Sequence, residues 1–150
     1  MFCLYSKGCE YAIRAMATIA DPKSPGNVRA KDICRKAGIP EGYARKTFQA
    51  LVQNGFLKAV QGPGGGYALV RDPKNTTVLD VVEAVEGKGN YSKCLMGFSS
   101  CSDRRPCTLH FTWVKLRGQM IGALRSHTLL DLSKSLKNKS GKPIRSRERE

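Results

Sequence analysis

The chain has 150 residues, 41% of them apolar and 25% charged, which suits one compact domain with an extra helix and excludes disorder throughout. Its formal net charge of +14 directs attention to phosphates and anionic surfaces. No apolar run approaches the ~20 residues that span a bilayer, and Lys7, Glu10 and Arg14 break the N-terminal stretch where a signal peptide needs an apolar region. A cytoplasmic protein without membrane contact is the expectation. Seven of the 26 Lys/Arg and two of the 12 Asp/Glu lie after residue 133, so residues 1–133 keep +9 and the body is basic in its own right.

Ser6 precedes a helical pattern in which Tyr11, Ala12, Ala15, Met16 and Ile19 recur at three- and four-residue spacing. Asp21-Pro22 and Ser24-Pro25-Gly26 end it. A second helix is predicted over about 29–37, with Ile33 and Cys34 inward and Gly38 closing it. Pro40 and Glu41 suit the first turn of a third, about 40–53. Tyr43, Ala44, Thr47, Phe48, Leu51 and Val52 form its inward face, and Gly55 ends it. Two β-prone runs, 56–60 and 67–70, flank the glycine-rich stretch 61–66 and read as a hairpin with a long tip. Thr76 or Thr77 caps a helix over 78–86. A cysteine-bearing loop follows Gly87 and leads into a long helix, about 108–126, and a short one near 128–136.

The order helix, helix, helix, hairpin, with a tight turn at Gly38-Ile39-Pro40, reads as a helix-turn-helix followed by a wing. The fold class is mainly α with a small β-hairpin: a winged helix-turn-helix plus a long helix. The expected units are a winged-helix DNA-binding domain (1–87), a cysteine loop (88–107), two further helices (108–136) and a disordered basic tail (137–150). Trp113, Phe111, Leu116, Met120 and Leu124 fall on helical spacing, and Leu109, Val114 and Ile121 add apolar surface on other sides. A helix apolar on more than one side fits a dimer interface.

In a winged helix the second helix of the pair enters the major groove. Its candidates are Glu41, Tyr43, Arg45, Lys46 and Gln49, of which Arg45 can pair with guanine O6 and N7. Arg29, Lys31, Arg35 and Lys36 on the preceding helix are candidates to hold phosphates. The small residues Gly62, Gly64, Gly65 and Gly66 let wing N–H groups approach DNA, with Lys58, Gln61 and Arg71 supplying polar contacts. A solvated charged face is the competing reading. The turn is no P-loop, because it lacks Lys-Ser/Thr and precedes no helix.

The residues suited to other chemistry cluster between Cys94 and His110, where Cys94, Cys101, Cys107 and His110 share seventeen positions. Thiolate and imidazole are preferred by iron–sulfur clusters and zinc. The paired Cys-x2–4-Cys ends of many zinc sites are absent. Structural zinc and a bare thiol–disulfide switch stay open as alternatives. Cys9 and Cys34 read as packing residues; Cys3, near the N-terminus, carries no role.

The motifs SKGCEYAIRAM, VQGPGGGYAL, LDVVEAVEG and Cys-x6-Cys-x5-Cys-x2-His resemble the Rrf-two family of winged-helix transcription regulators, over about residues 4–135. The resemblance implies a homodimer joined through the long helix and an iron–sulfur cluster on Cys94, Cys101 and Cys107 that tunes operator binding. His110 matches the fourth ligand of one branch of the family. Glu10 matches an acidic residue that reaches the cluster across the dimer in another. A 2Fe–2S centre with His110 is favoured, with 4Fe–4S as the alternative. The first cysteine gap is one residue longer than in the histidine-ligated branch, and Gln61 stands where that branch has an arginine, so operator sequence and cluster type do not carry over. The expected protein is a non-enzymatic regulator, a repressor, binding palindromic double-stranded operator DNA, with nitric oxide, oxidants or iron–sulfur status as signal. Its rivals are a thiol or zinc sensor on the same fold, a metal-dependent enzyme and an RNA-binding module.

Overall fold

A computed structural model describes residues 4–24 and 26–139. Cys3 and the tail beyond residue 139 lie outside them. Three helices come first: α1 (Lys7–Ile19), α2 (Ala30–Ala37) and α3 (Glu41–Gln53). Local signals place their ends. Ser6 caps α1 by accepting from the Cys9 N–H, and Gly38 closes α2 in the left-handed conformation at φ 63°. Pro40, expected inside the first turn of α3, is instead its cap residue, in extended conformation.

The hairpin consists of antiparallel β1 (Leu57–Val60) and β2 (Gly66–Leu69), paired Leu57 with Leu69 through Val60 with Gly66. Val28, ahead of α2, adds a two-way bridge to Tyr67, with N–O distances of 2.9 and 2.8 Å. This bridge explains Gly66. A Cβ there would stand 2.4 Å from the Val28 carbonyl oxygen.

Next come α4 (Val78–Glu86), a 3-10 turn at 90–92, α5 (His110–Ser126) and α6 (Leu129–Lys139). Thr77 and Asp80 form a capping box at α4. The Val78 N–H to His127 carbonyl and Leu129 N–H to Thr76 carbonyl bonds, both 2.9 Å, tie the starts of α4 and α6 together. Helix α6 runs three residues past the predicted 136, to Lys139.

Met16, Ile33, Phe48, Leu51, Leu57, Val81 and Leu129 form the centre of the core, all nearly inaccessible to water. Helix α1 packs on α2, α3, α4 and α6 and is the hub of the fold. One sequence expectation changes. Tyr43, assigned to the inward face of α3, is 51% exposed and stacks at its edge on Tyr11, 5.3 Å between ring centroids. On α5 only His110 is buried; Phe111 and Leu116 face outward, whereas Leu124 packs against the cluster of Cys9, Val78 and Val82.

Candidate DNA-reading surface and cysteine centre

On α3, Glu41, Tyr43, Arg45, Lys46 and Gln49 are exposed, as are Arg29, Lys31, Arg35 and Lys36 around α2. The core stripe Ala44, Thr47, Phe48 and Leu51 holds the opposite face of α3 against the body, which turns Arg45 and Lys46 out. Arg35 is engaged with Asp32 at 3.2 Å. At the wing, Lys58, Gln61, Gly62 and Gly64 are exposed, whereas Gly65 and Gly66 are half-buried. A Cβ on Gly65 would meet the Val60 carbonyl oxygen at 2.3 Å. Glycine at both positions is therefore required by the fold itself, apart from any approach to DNA.

Arg71 departs from the sequence reading. Its guanidinium lies 4.2 Å from the centre of the Phe56 ring and donates to the carbonyls of Gly55 and Asn54, both at 3.3 Å. It binds the end of the wing to the C-terminus of α3 rather than standing free beside the tip.

The cysteine loop turns at Gly97 (φ 78°), where the Gly97 N–H bonds the Cys94 carbonyl at 3.1 Å. Cys94, Cys101, Cys107 and His110 come together around a cavity of about 330 Å³, lined also by Phe98 and Arg105. Among the described residues no three His, Cys, Asp or Glu side chains close on a single-ion site. The four donors surround a volume rather than a point. Burial pushes the Cys94 thiol up, but N–H groups of Phe98 and Met96 and the Cys107 and Cys101 thiols outweigh it, leaving Cys94 below the ordinary thiol range.

His110 starts α5, its N–H bonded to the Cys107 carbonyl at 3.0 Å, and its side chain is 2% exposed. Nδ1 lies 3.3 Å from Cys101 Sγ, and Nε2 lies 2.6 Å from Asp103 Oδ1. Arg117 follows His110 by two turns on the same face of α5. Its Nη1 reaches the Ser92 carbonyl at 3.1 Å and Cys101 Sγ at 3.9 Å. Trp113 Nε1 donates to the Lys93 carbonyl at 2.9 Å. Two α5 side chains thus hold the strand of loop entering Cys94.

Asp103 and Arg117 were not singled out from sequence. Asp103 lies between two candidate ligands, and Arg117 keeps helical register with His110, which are the signals available. Glu10 is elsewhere: its carboxylate pairs with Lys7 at 2.9 Å and with Arg14, and it does not line the cavity. Cys9 is fully buried, and burial, then Glu86, pushes its thiol up to about 12. Cys34 is also buried, its thiol raised chiefly by burial. Both are packing residues.

A basic helix-turn-helix, a hairpin wing braced on its reading helix and a long helix carrying a cysteine loop define a winged-helix transcription regulator. The sequence matches the Rrf2 model, "Iron-dependent Transcriptional regulator", over residues 5–135, and the chain belongs to the Rrf-two family. HTH-type transcriptional regulator IscR of Cronobacter sakazakii is 32% identical over 154 residues, covering 97% of this chain and 94% of that protein. IscR of Escherichia coli is 35% identical over 129 residues, covering 86% and 78%. The structure of T. potens IscR superimposes with a TM-score of 0.73 at 25% identity, covering 93% of each chain. CymR, the global cysteine regulator of B. subtilis, shares the fold with a TM-score of 0.71 at 24% identity, covering 90% of this chain and 98% of its own. The protein is a DNA-binding transcription regulator and not an enzyme. Among the described residues no helix is long and apolar enough to cross a membrane.

Proposed function

We propose that this regulator holds an iron–sulfur cluster on Cys94, Cys101, Cys107 and His110, and that the state of this centre controls its affinity for operator DNA. The observation that carries the reading is the convergence of three thiols and a buried imidazole on one cavity, with His110 Nδ1 facing Cys101. Thiol and imidazole donors fit a mixed-ligand 2Fe–2S centre, which we favour over 4Fe–4S. Such a centre, when bound, supplies a group reactive toward oxidants and nitric oxide. His110, which lines the cavity together with the three cysteines, is the fourth ligand in this reading.

The chain's own residues link the loop to DNA. Trp113 and Arg117 attach the segment entering Cys94 to α5, and α5 packs on α4. The outward Phe111 and Leu116 make α5 the candidate seam of a homodimer. Residues 1–87 then read DNA, 88–107 sense, and 108–136 assemble the dimer. A palindromic operator requires the two reading helices to lie about one DNA turn apart, ~34 Å. A change in loop conformation carried through α5 alters that spacing, and affinity shifts by the difference in fit. Repression follows where occupancy blocks transcription.

Anaerobic purification tests the reading. Iron, acid-labile sulfide and visible absorbance are expected, together with salt-dependent binding to duplex DNA that changes after nitric oxide or oxidant. Stoichiometric zinc without visible absorbance would overturn it.

A further inference from the structure

We infer that Asp103 is a positioning residue that makes Nδ1 of His110 the ligating nitrogen. The inference rests on His110 being the fourth ligand and adds which atom binds and what selects it. A neutral imidazole carries one N–H and one lone pair. A carboxylate only accepts hydrogen bonds, so Asp103 Oδ1, 2.6 Å from Nε2, holds the proton on that nitrogen. The lone pair then sits on Nδ1, which faces Cys101 Sγ at 3.3 Å at the cavity wall. The ring is 2% exposed and meets Phe111 edge-on at 5.1 Å, so a flip that exchanged its nitrogens would disturb packing.

Asp103 itself is 85% exposed and contributes little to the core, so its replacement leaves the fold intact. It orients a ligand without touching the bound group, as outer partners of metal-bound imidazoles do. An asparagine at 103 can turn its amide to donate to Nε2, which moves the ring proton to Nδ1 and removes the lone pair from the cavity. The carboxylate also places negative charge on the ligand, which disfavours adding an electron to the bound group.

The test uses the full chain, anaerobically loaded with iron and sulfide, as wild type, Asp103→Asn, Asp103→Glu and His110→Ala. Three readouts are taken: loss of visible absorbance to an iron chelator, reduction potential, and pulsed paramagnetic resonance of reduced protein carrying histidine labelled with nitrogen-15 at Nδ1 or Nε2. Asp103→Asn is expected to lose the centre roughly 10–100-fold faster and to shift the potential to more positive values. Asp103→Glu should restore both in large part. The directly coordinated nitrogen in wild type should be Nδ1. Coordination through Nε2, or wild-type lifetime and potential in Asp103→Asn, overturns the inference while leaving His110 a ligand. No coordinated histidine nitrogen in wild type, with His110→Ala unchanged in potential, overturns the ligand assignment and the inference with it.

Discussion

Replacing Arg71 by alanine should weaken DNA binding without removing a DNA contact. The guanidinium rests on Phe56 and bonds the carbonyls of Asn54 and Gly55, so it closes the end of α3 and braces the wing at once. These carbonyls belong to a helix C-terminus, where the macrodipole also favours a cation. An exposed cation–π contact contributes about 0.5–1 kcal/mol. Two hydrogen bonds of 3.3 Å geometry at the surface add a similar amount, near the lower end of the usual range. Losing about 1–2 kcal/mol of constraint on the wing corresponds to roughly 5–30-fold in affinity if DNA needs the braced geometry. The assay is fluorescence anisotropy on duplex DNA enriched by the wild-type protein from a random pool, over a range of salt. The slope of log affinity against log salt should stay constant, and Arg71→Lys should be intermediate because lysine keeps the charge but lacks the planar fork. A slope reduced by about 0.9 would show that Arg71 neutralises a phosphate, and unchanged affinity in Arg71→Ala would show that the brace is dispensable.

Arg45→Ala should relax base preference at one position in each half-site by about 1–3 kcal/mol; equal weakening on every sequence would assign Arg45 to phosphate alone. Gly66→Ala should cost about 1–3 kcal/mol in urea unfolding, because its Cβ enters the space of the Val28 carbonyl; wild-type stability would mean that the Val28 bridge yields freely. In reduced protein stripped of metal, iodoacetamide should modify Cys94 first, as only the thiolate reacts and Cys94 is held below the ordinary thiol range. Cys9 and Cys34 should react only on unfolding, and rapid native-state labelling of Cys9 in peptide mapping would contradict its burial.

The elements of this fold were legible because their causes are local. Apolar residues at three- and four-residue spacing marked α1, α3 and α4. Ser6, Gly38 and a threonine at 76 or 77 marked ends, and the glycines between two β-prone runs marked the wing. Three cysteines and a histidine within one short loop likewise marked a candidate centre.

What each side chain meets across the fold was decided by packing between distant segments. Tyr43 carried the spacing of an inward residue, yet Tyr11 lets it rest at the rim. Arg71 had the composition of a DNA contact, and the return of β2 beside the end of α3 made it a brace. His110 was the favoured fourth ligand in the sequence, with Glu10, a hundred residues away, as the alternative from across a dimer. The tertiary structure placed His110 at the cavity with Asp103 behind it and left Glu10 between Lys7 and Arg14. Periodicity and capping depend on neighbours within a few residues, so the sequence alone determines which segments are helix or strand. A buried imidazole's partner depends on where a loop docks against another helix, and that docking is set only when the whole core assembles.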